Sequence, residues 1–305
     1  MFNYPSSVKI VEVGARDGLQ NEQEFITTEE KIHLINSLTY AGLPVIEAGS
    51  FVSSKWVPQM ADTAEVFDGI NKEDGVSYPV LVPNMKGFEQ ALESDVEEIA
   101  IFTAASETFN KKNTNKSIEE SLEAFQEIIT QAIDNDIRIR GYVSCVVGCP
   151  YEGRVEAHKV AEITEKLMAM GCYEVSLGDT IGVGTPQSID EMLKAVMQRI
   201  PANKLAVHFH DTYGQALANI LVALRSGIST IDSSIGGLGG CPYAPGAGGN
   251  VATEDVVYML QGMGIETGIS LPQLVETAWN IFAILEKGAP NSKVSQALGD
   301  AKRAS

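Results

Sequence analysis

The sequence has no apolar run approaching the ~18 residues that a membrane-spanning helix needs. It has little positive charge: 22 Lys and Arg stand against 40 Asp and Glu, a formal net charge of −18. That balance argues against nucleic acid as a partner, because a phosphate backbone needs a basic patch. It leaves room for a small anionic ligand, which needs only local positive charge. Cysteine is scarce. Cys145, Cys149, Cys172 and Cys241 are scattered, which excludes a disulfide framework and suits a reducing cytoplasm. The stretch Met1 to Val8 is too short for a signal peptide and has no arginine for a transit peptide. No linker or low-complexity segment divides the chain, and no Gly-x-Gly-x-x-Gly follows the first strand pattern, as a dinucleotide-binding sheet would require.

What is present is a repeating unit. Val8 to Val13 is a β-branched strand, and residues 15–27 read as a polar loop. Thr27 to Glu30 has capping-box spacing ahead of a stripe of Ile32, Ile35 and Leu38. Gly42 and Pro44 end that helix, and Val45 to Gly49 is the next strand. The cycle recurs with strands at Tyr78–Val82, Glu98–Thr103, Arg138–Cys145, Cys172–Leu177, Leu205–Asp211 and Ile228–Ile235. Eight strand-then-helix units in about 260 residues predict an α/β fold, a (β/α)₈ TIM barrel. An additional C-terminal helix at about Ser270–Glu286 makes residues 265–288 an appended helical segment of a single catalytic domain. Its apolar stripe suits either covering the barrel or pairing two chains.

The chemistry concentrates at predicted strand ends, where barrels place their catalytic groups. Alternation along Leu205–Asp211 puts His208 and His210 on one side of the strand and Leu205, Val207 and Phe209 on the other. Two imidazoles so placed can grip one divalent metal; two hydrogen-bonded core histidines would show the same pattern. Asp17, in Arg16-Asp17 after the first strand, offers a carboxylate, and Asn250 offers an amide oxygen. Two nitrogens and two oxygens suit six-coordinate Mg²⁺ or Mn²⁺ better than a closed zinc site. Glu12 and Glu47 lie inside strands buried on both faces, and a buried carboxylate needs a partner; pairing with Arg16 is the simplest account of Glu12. Asp179 is either a loop anchor or a site residue. Cys241 lies in the glycine-rich loop 236–249, which suggests exposure rather than inert core. His33, His158 and the Cys145-x-x-x-Cys149 pair read as structural. Lys55, Lys111, Lys112 and Arg154 follow strands and can supply positive charge at the barrel mouth.

These residues resemble a known family. Val11 to Glu22, Ser176 to Pro186, His208 to Ala216 and Gly237 to Tyr243 are similar to the signatures of the 3-hydroxy-3-methylglutaryl-CoA lyases. The match runs from Val8 to about Leu285. Arg-Asp-Gly and His-x-His are shared with condensing enzymes that join acetyl-CoA to 2-oxo acids, which is the alternative reading; the cysteine in a glycine loop points to the lyase. The resemblance implies cleavage of hydroxymethylglutaryl-CoA to acetyl-CoA and acetoacetate. It implies Asp17, His208, His210 and Asn250 as ligands of one Mg²⁺ or Mn²⁺. It also implies Arg16 and Gln20 against substrate, and Arg16, Cys241, Asp179 and Glu47 as catalytic groups. A homodimer in the cytoplasm, acting on a small acyl-CoA, is expected with it. Ala48-Gly49 after Glu47 departs from some relatives without touching the chemistry.

Overall fold

A computed structural model describes residues 4–20, 22–240 and 249–303, the last four by backbone alone. The parallel strands are β1 (Lys9–Glu12), β2 (in two paired stretches, Val45–Ile46 and Gly49–Ser50), β3 (Val80–Leu81), β4 (Glu98–Ala104), β5 (Arg138–Ser144), β6 (Glu174–Asp179), β7 (Leu205–Phe209) and β8 (Thr230–Ser233). Each pairs with its neighbour in sequence, and β1 pairs with β8 through Lys9↔Thr230 to Glu12↔Ser233. The two stretches of β2 form one strand. The Glu47 amide donates to the Glu12 carbonyl (2.8 Å) and the Ala48 amide to the Pro79 carbonyl (2.9 Å), so β2 joins β1 to β3 and the ring closes. This is the (β/α)₈ barrel.

Helices α1 (Thr28–Tyr40), α2 (Thr63–Gly69), α3 (Met85–Glu93), α4 (Glu107–Thr114), α5 (Ile118–Asp134), α6 (Ala157–Met170), α7 (Pro186–Met197), α8 (Ala216–Arg225) and α9 (Thr253–Gly262) alternate with the strands. Local signals place their ends. Thr27 and Glu30 form the capping box of α1, Ser117 and Glu120 that of α5, and Thr185 caps α7 with Pro186 at its first position. Gly171, at φ 126°, ends α6. The C-terminal α10 (Leu271–Ile284) buries Leu274, Val275, Ala278, Ile281 and Phe282, packing on α1 and α9. Its stripe therefore covers the barrel. A further helix, α11 (Lys293–Arg303), packs on α9 and α10. Among the described residues, no helix is long and apolar enough to cross a membrane.

Several expectations are corrected. Residues 14–18 are not loop but a π-helical turn, with the Leu19 amide bonding the Gly14 carbonyl at 2.9 Å. Helix α4, the hairpin Gly148–Cys149 with Gly153–Arg154, and α11 are additions. α8 starts at Ala216 rather than Thr212, because Asp211 Oδ1 accepts from the Ala216 amide (2.9 Å) and Gly214 takes φ 69°. The sixth strand sits further along than expected, which brings Asp179 into it.

Glu12 does not pair with Arg16. It shares the outer face of β1 with Ile10, two residues before it, which packs among the helices. There its Oε1 accepts from the Gly14 and Ile235 amides (2.8 Å each), and Oε2 accepts from Thr253 Oγ1. Close by, Glu254 accepts from the Gly236 amide (2.9 Å) and Ser295 Oγ (2.7 Å). These bonds tie the turn after β1, the segment after β8 and α11 together.

Burial pushes the Glu254 carboxyl up to about 8 from 4.5, against its hydrogen bonds and with repulsion from Glu12 adding to the rise. A carboxyl raised in the folded state contributes fully below its unfolded pKa and loses that contribution as pH rises through the folded value. Glu254→Gln keeps the acceptor without the charge. Urea denaturation across pH 5 to 9 should show stability falling less steeply with pH in the variant than in the parent. An unchanged slope would assign the pH dependence to other groups, Glu12 first, since burial raises it to about 7.

Candidate metal and catalytic site

Inward positions of the strands set polar and charged side chains among apolar ones such as Val11, Val45, Leu81 and Ala100. On β7, Leu205, Val207 and Phe209 join the core under the helices, while His208 and the following His210 turn to the barrel mouth. Their Nε2 atoms face each other at 3.3 Å. Ligand atoms of Asp17, His208 and His210 all lie within 4.8 Å of one another. Two neutral imidazoles presenting lone pairs at this distance repel unless a proton or a cation lies between them. The donor set and its convergence fit a divalent cation. Asn250 is stitched to the same place: it bridges His210 in the backbone, and its Nδ2 donates to Asp17 Oδ2 (2.7 Å) and the Leu238 carbonyl (3.1 Å). Gln20 Nε2 donates to Asp17 Oδ1 at 2.8 Å, so it steadies Asp17.

The π-helical turn carries Arg16 and Asp17 over the mouth. Arg16 is buried, with Nε and Nη2 on Glu47 Oε2 (2.7 and 2.6 Å) and Nη1 on Asp17 Oδ1 (2.8 Å). The Glu47 partner is thus Arg16, reached from the inward side of β2. Tyr142 Oη donates to Glu47 Oε1 at 3.4 Å, and the Tyr142 ring stands edge-on to His208. Below them, Arg140 donates to Tyr142 Oη (2.8 Å), Glu174 (2.8 Å) and both oxygens of Asp232 (2.7 and 3.2 Å). Lys9 closes the floor on Glu174 at 2.9 Å. The reading of the sequence passed over Tyr142, Arg140, Glu174 and Asp232. For Arg140 and Tyr142 a signal was available: polar residues two apart in Ile139-Arg140-Gly141-Tyr142-Val143, a stretch buried on both faces.

Charge follows this geometry. Burial opposes ionisation of Asp17, yet Arg16 and the histidines hold its carboxyl down at about 2. Burial and the neighbouring His208 push His210 down to about 4, so it is a neutral donor near pH 7. Burial also lowers His208, but Asp232 and Asp17 outweigh it and the net shift is upward. Asp179 sits on the outer parity of β6. Its Oδ2 accepts from the Gly184 amide (2.7 Å), while Oδ1 is buried without a hydrogen bond. Burial pushes its carboxyl up to about 6 against those backbone bonds. It anchors the 182–184 loop and keeps one oxygen free.

Cys241 lies outside the described residues. Cys145, Cys149 and Cys172 are buried. Around the mouth, Lys55 and Lys111 are exposed, Lys112 lies over the Tyr151 ring, and Arg154 pairs with Glu191 at 3.3 Å.

The HMGL-like family model matches residues 7–281. The chicken protein "Hydroxymethylglutaryl-CoA lyase, mitochondrial" is 62% identical over 294 residues, 96% of this chain and 98% of its own. The mouse protein "3-hydroxy-3-methylglutaryl-CoA lyase, cytoplasmic" is 59% identical over 298 residues, 98% of this chain and 87% of its own. The crystal structure of hydroxymethylglutaryl-CoA lyase from Pseudomonas aeruginosa superposes with a TM-score of 0.96 at 54% identity, covering 98% of this chain and 99% of that one.

Proposed function

The chain belongs to the HMGL-like family and is a carbon–carbon lyase, and from that premise we propose how its site works on 3-hydroxy-3-methylglutaryl-CoA. The reaction splits the substrate into acetyl-CoA and acetoacetate. The observation that carries this reading is the buried Arg16 guanidinium set directly beside the Asp17, His208 and His210 cluster. Full-length relatives named as lyases favour cleavage over the condensing alternative.

Asp17, His208 and His210 would hold a divalent cation. Asn250 would join them through Oδ1 once its amide, now set with Nδ2 towards Asp17, is turned over. The mixed nitrogen and oxygen set suits Mg²⁺ or Mn²⁺. Bound there, the cation supplies Lewis-acid polarisation of the substrate's oxygens.

Cleavage passes the tertiary hydroxyl proton to a general base, for which we assign the Asp179 carboxylate, forms the ketone of acetoacetate and releases the acetyl unit as a thioester enolate. Arg16 faces the charge that develops on the enolate oxygen; a forked, permanently charged donor suits it. Glu47 holds the fork in place. The enolate carbon then takes a proton, and Cys241 on its glycine loop is the general acid we assign, with Asp179 in the same proton traffic. Gln20 reaches substrate only through Asp17 in this arrangement.

The whole chain works as one catalytic domain, with residues 265–288 bracing its wall. A cytoplasmic homodimer belongs to the same reading; light scattering at micromolar concentration should give twice the chain mass.

The test is product analysis with Mg²⁺ and hydroxymethylglutaryl-CoA. Acetoacetate should appear in step with acetyl-CoA. Free CoA thiol without acetoacetate, or no turnover, would overturn the reading.

A further inference from the structure

We infer that Asp232 is a positioning residue for metal binding: it holds the His208 ring so that Nε2 faces the cation site. The inference rests on the reading of Asp17, His208 and His210 as a metal cluster.

Asp232 is fully buried at the inward face of β8, in register with His208 on β7. Its Oδ2 lies 3.4 Å from His208 Nδ1. That nitrogen is buried and, among the described residues, no group stands in hydrogen-bond geometry to it. A cation at Nε2 requires the proton of a neutral imidazole to sit on Nδ1, and an N–H there needs an acceptor. Asp232 is the acceptor placed to receive it, the arrangement by which a carboxylate orients a metal-bound histidine.

The carboxylate is itself fixed. Arg140 donates to both its oxygens (2.7 and 3.2 Å), and Ser176 Oγ donates to Oδ2 (2.7 Å). Burial opposes its ionisation, but the Arg140 guanidinium and His208 keep the carboxyl far below the usual range. A group so held cannot swing away from His208.

His210 provides the internal comparison. Its Nδ1 is also buried, and among the described residues it has neither a hydrogen bond nor an ion pair. Among the described residues the fixed carboxylate stands behind His208 and not behind His210, so the effect of Asp232 should fall on one ring.

Mn²⁺ is titrated into the full-length chain, with free ion counted by electron paramagnetic resonance, for the parent, Asp232→Asn and His208→Ala. Long-range ¹H–¹⁵N spectra report the tautomer of each histidine. Asp232→Asn is expected to weaken Mn²⁺ binding by about 10- to 100-fold. His208 should lose its preference for the Nδ1-protonated form, while the His210 signals stay in place. Unchanged Mn²⁺ affinity and an unchanged His208 tautomer in Asp232→Asn, with His208→Ala weakened, would overturn the positioning role alone. Unchanged affinity in His208→Ala would overturn the metal reading and this inference with it. Should Asp232→Asn fail to fold, Ser176→Ala loosens the same carboxylate and should show the same two shifts in smaller measure; no shift in either would count against the inference.

Discussion

Arg16→Lys should lower kcat by about 10²- to 10³-fold while leaving KM within a few-fold. The three guanidinium nitrogens of Arg16 are all committed, Nε and Nη2 to Glu47 and Nη1 to Asp17. A lysine ammonium is one nitrogen on a flexible stem and cannot span both carboxylates while facing a third oxygen. The loss belongs to kcat because the enolate charge exists only as the bond breaks. Because Asp17 loses a partner too, the assay is run at saturating Mn²⁺, so that weakened metal binding does not mimic a lost donor. A change confined to KM would show that Arg16 holds only the ground-state substrate.

Arg140→Met is the largest expected effect on stability. The side chain is buried between Asp232 and Glu174, and the substitution leaves two carboxylates facing each other's field without the guanidinium. Removing one partner of a buried ion pair typically costs about 3–5 kcal/mol, a large part of the roughly 5–15 kcal/mol that holds a domain together. Urea denaturation at neutral pH checks it. Lys9→Met removes a charge from the same column, but its side chain is 35% exposed and should cost less than about 1 kcal/mol. Equal losses in the two variants would mean that the column is not the continuous ionic stack described above.

The barrel was legible because its signals are local. Capping boxes at Thr27 and Ser117, the proline after Thr185 and the glycine at 171 each act within a turn of the helix they bound. The alternation that put His208 and His210 together needs only five residues of strand. Arg16, Asp17, Asn250 and the histidines lie together at the barrel mouth. What stayed hidden depends on pairing across the barrel. Glu12 and Glu47 look alike in sequence, yet one faces the helices and the other the interior. Only the phase of each strand about the ring decides which of them meets Arg16. The π-helical turn was missed because no composition rule separates Gly-Ala-Arg-Asp-Gly from an ordinary loop. Arg140 and Asp232 are 92 positions apart, and their pairing is written in the register of β5 against β6, β7 and β8.

The closing seam between β1 and β8 sets a clock on biosynthesis. Lys9 waits for Thr230, about 220 residues downstream, which at ribosomal speeds of about 5–20 residues per second is roughly 10–45 s. Through that interval β1 has β2 on one side and an unsealed row of amides and carbonyls on the other, the kind of edge that recruits foreign strands. Ile10 and Val11, apolar and buried once the ring is shut, lie along that edge. The first strand of the barrel is therefore among the last to be enclosed. A ribosome that stalls after His210 and before Asn250 leaves a polypeptide that already carries Arg16, Asp17 and both histidines. It still lacks Thr253, the hydroxyl donor to Glu12, so the carboxylate beside the turn that carries the arginine is short of one of its three donors.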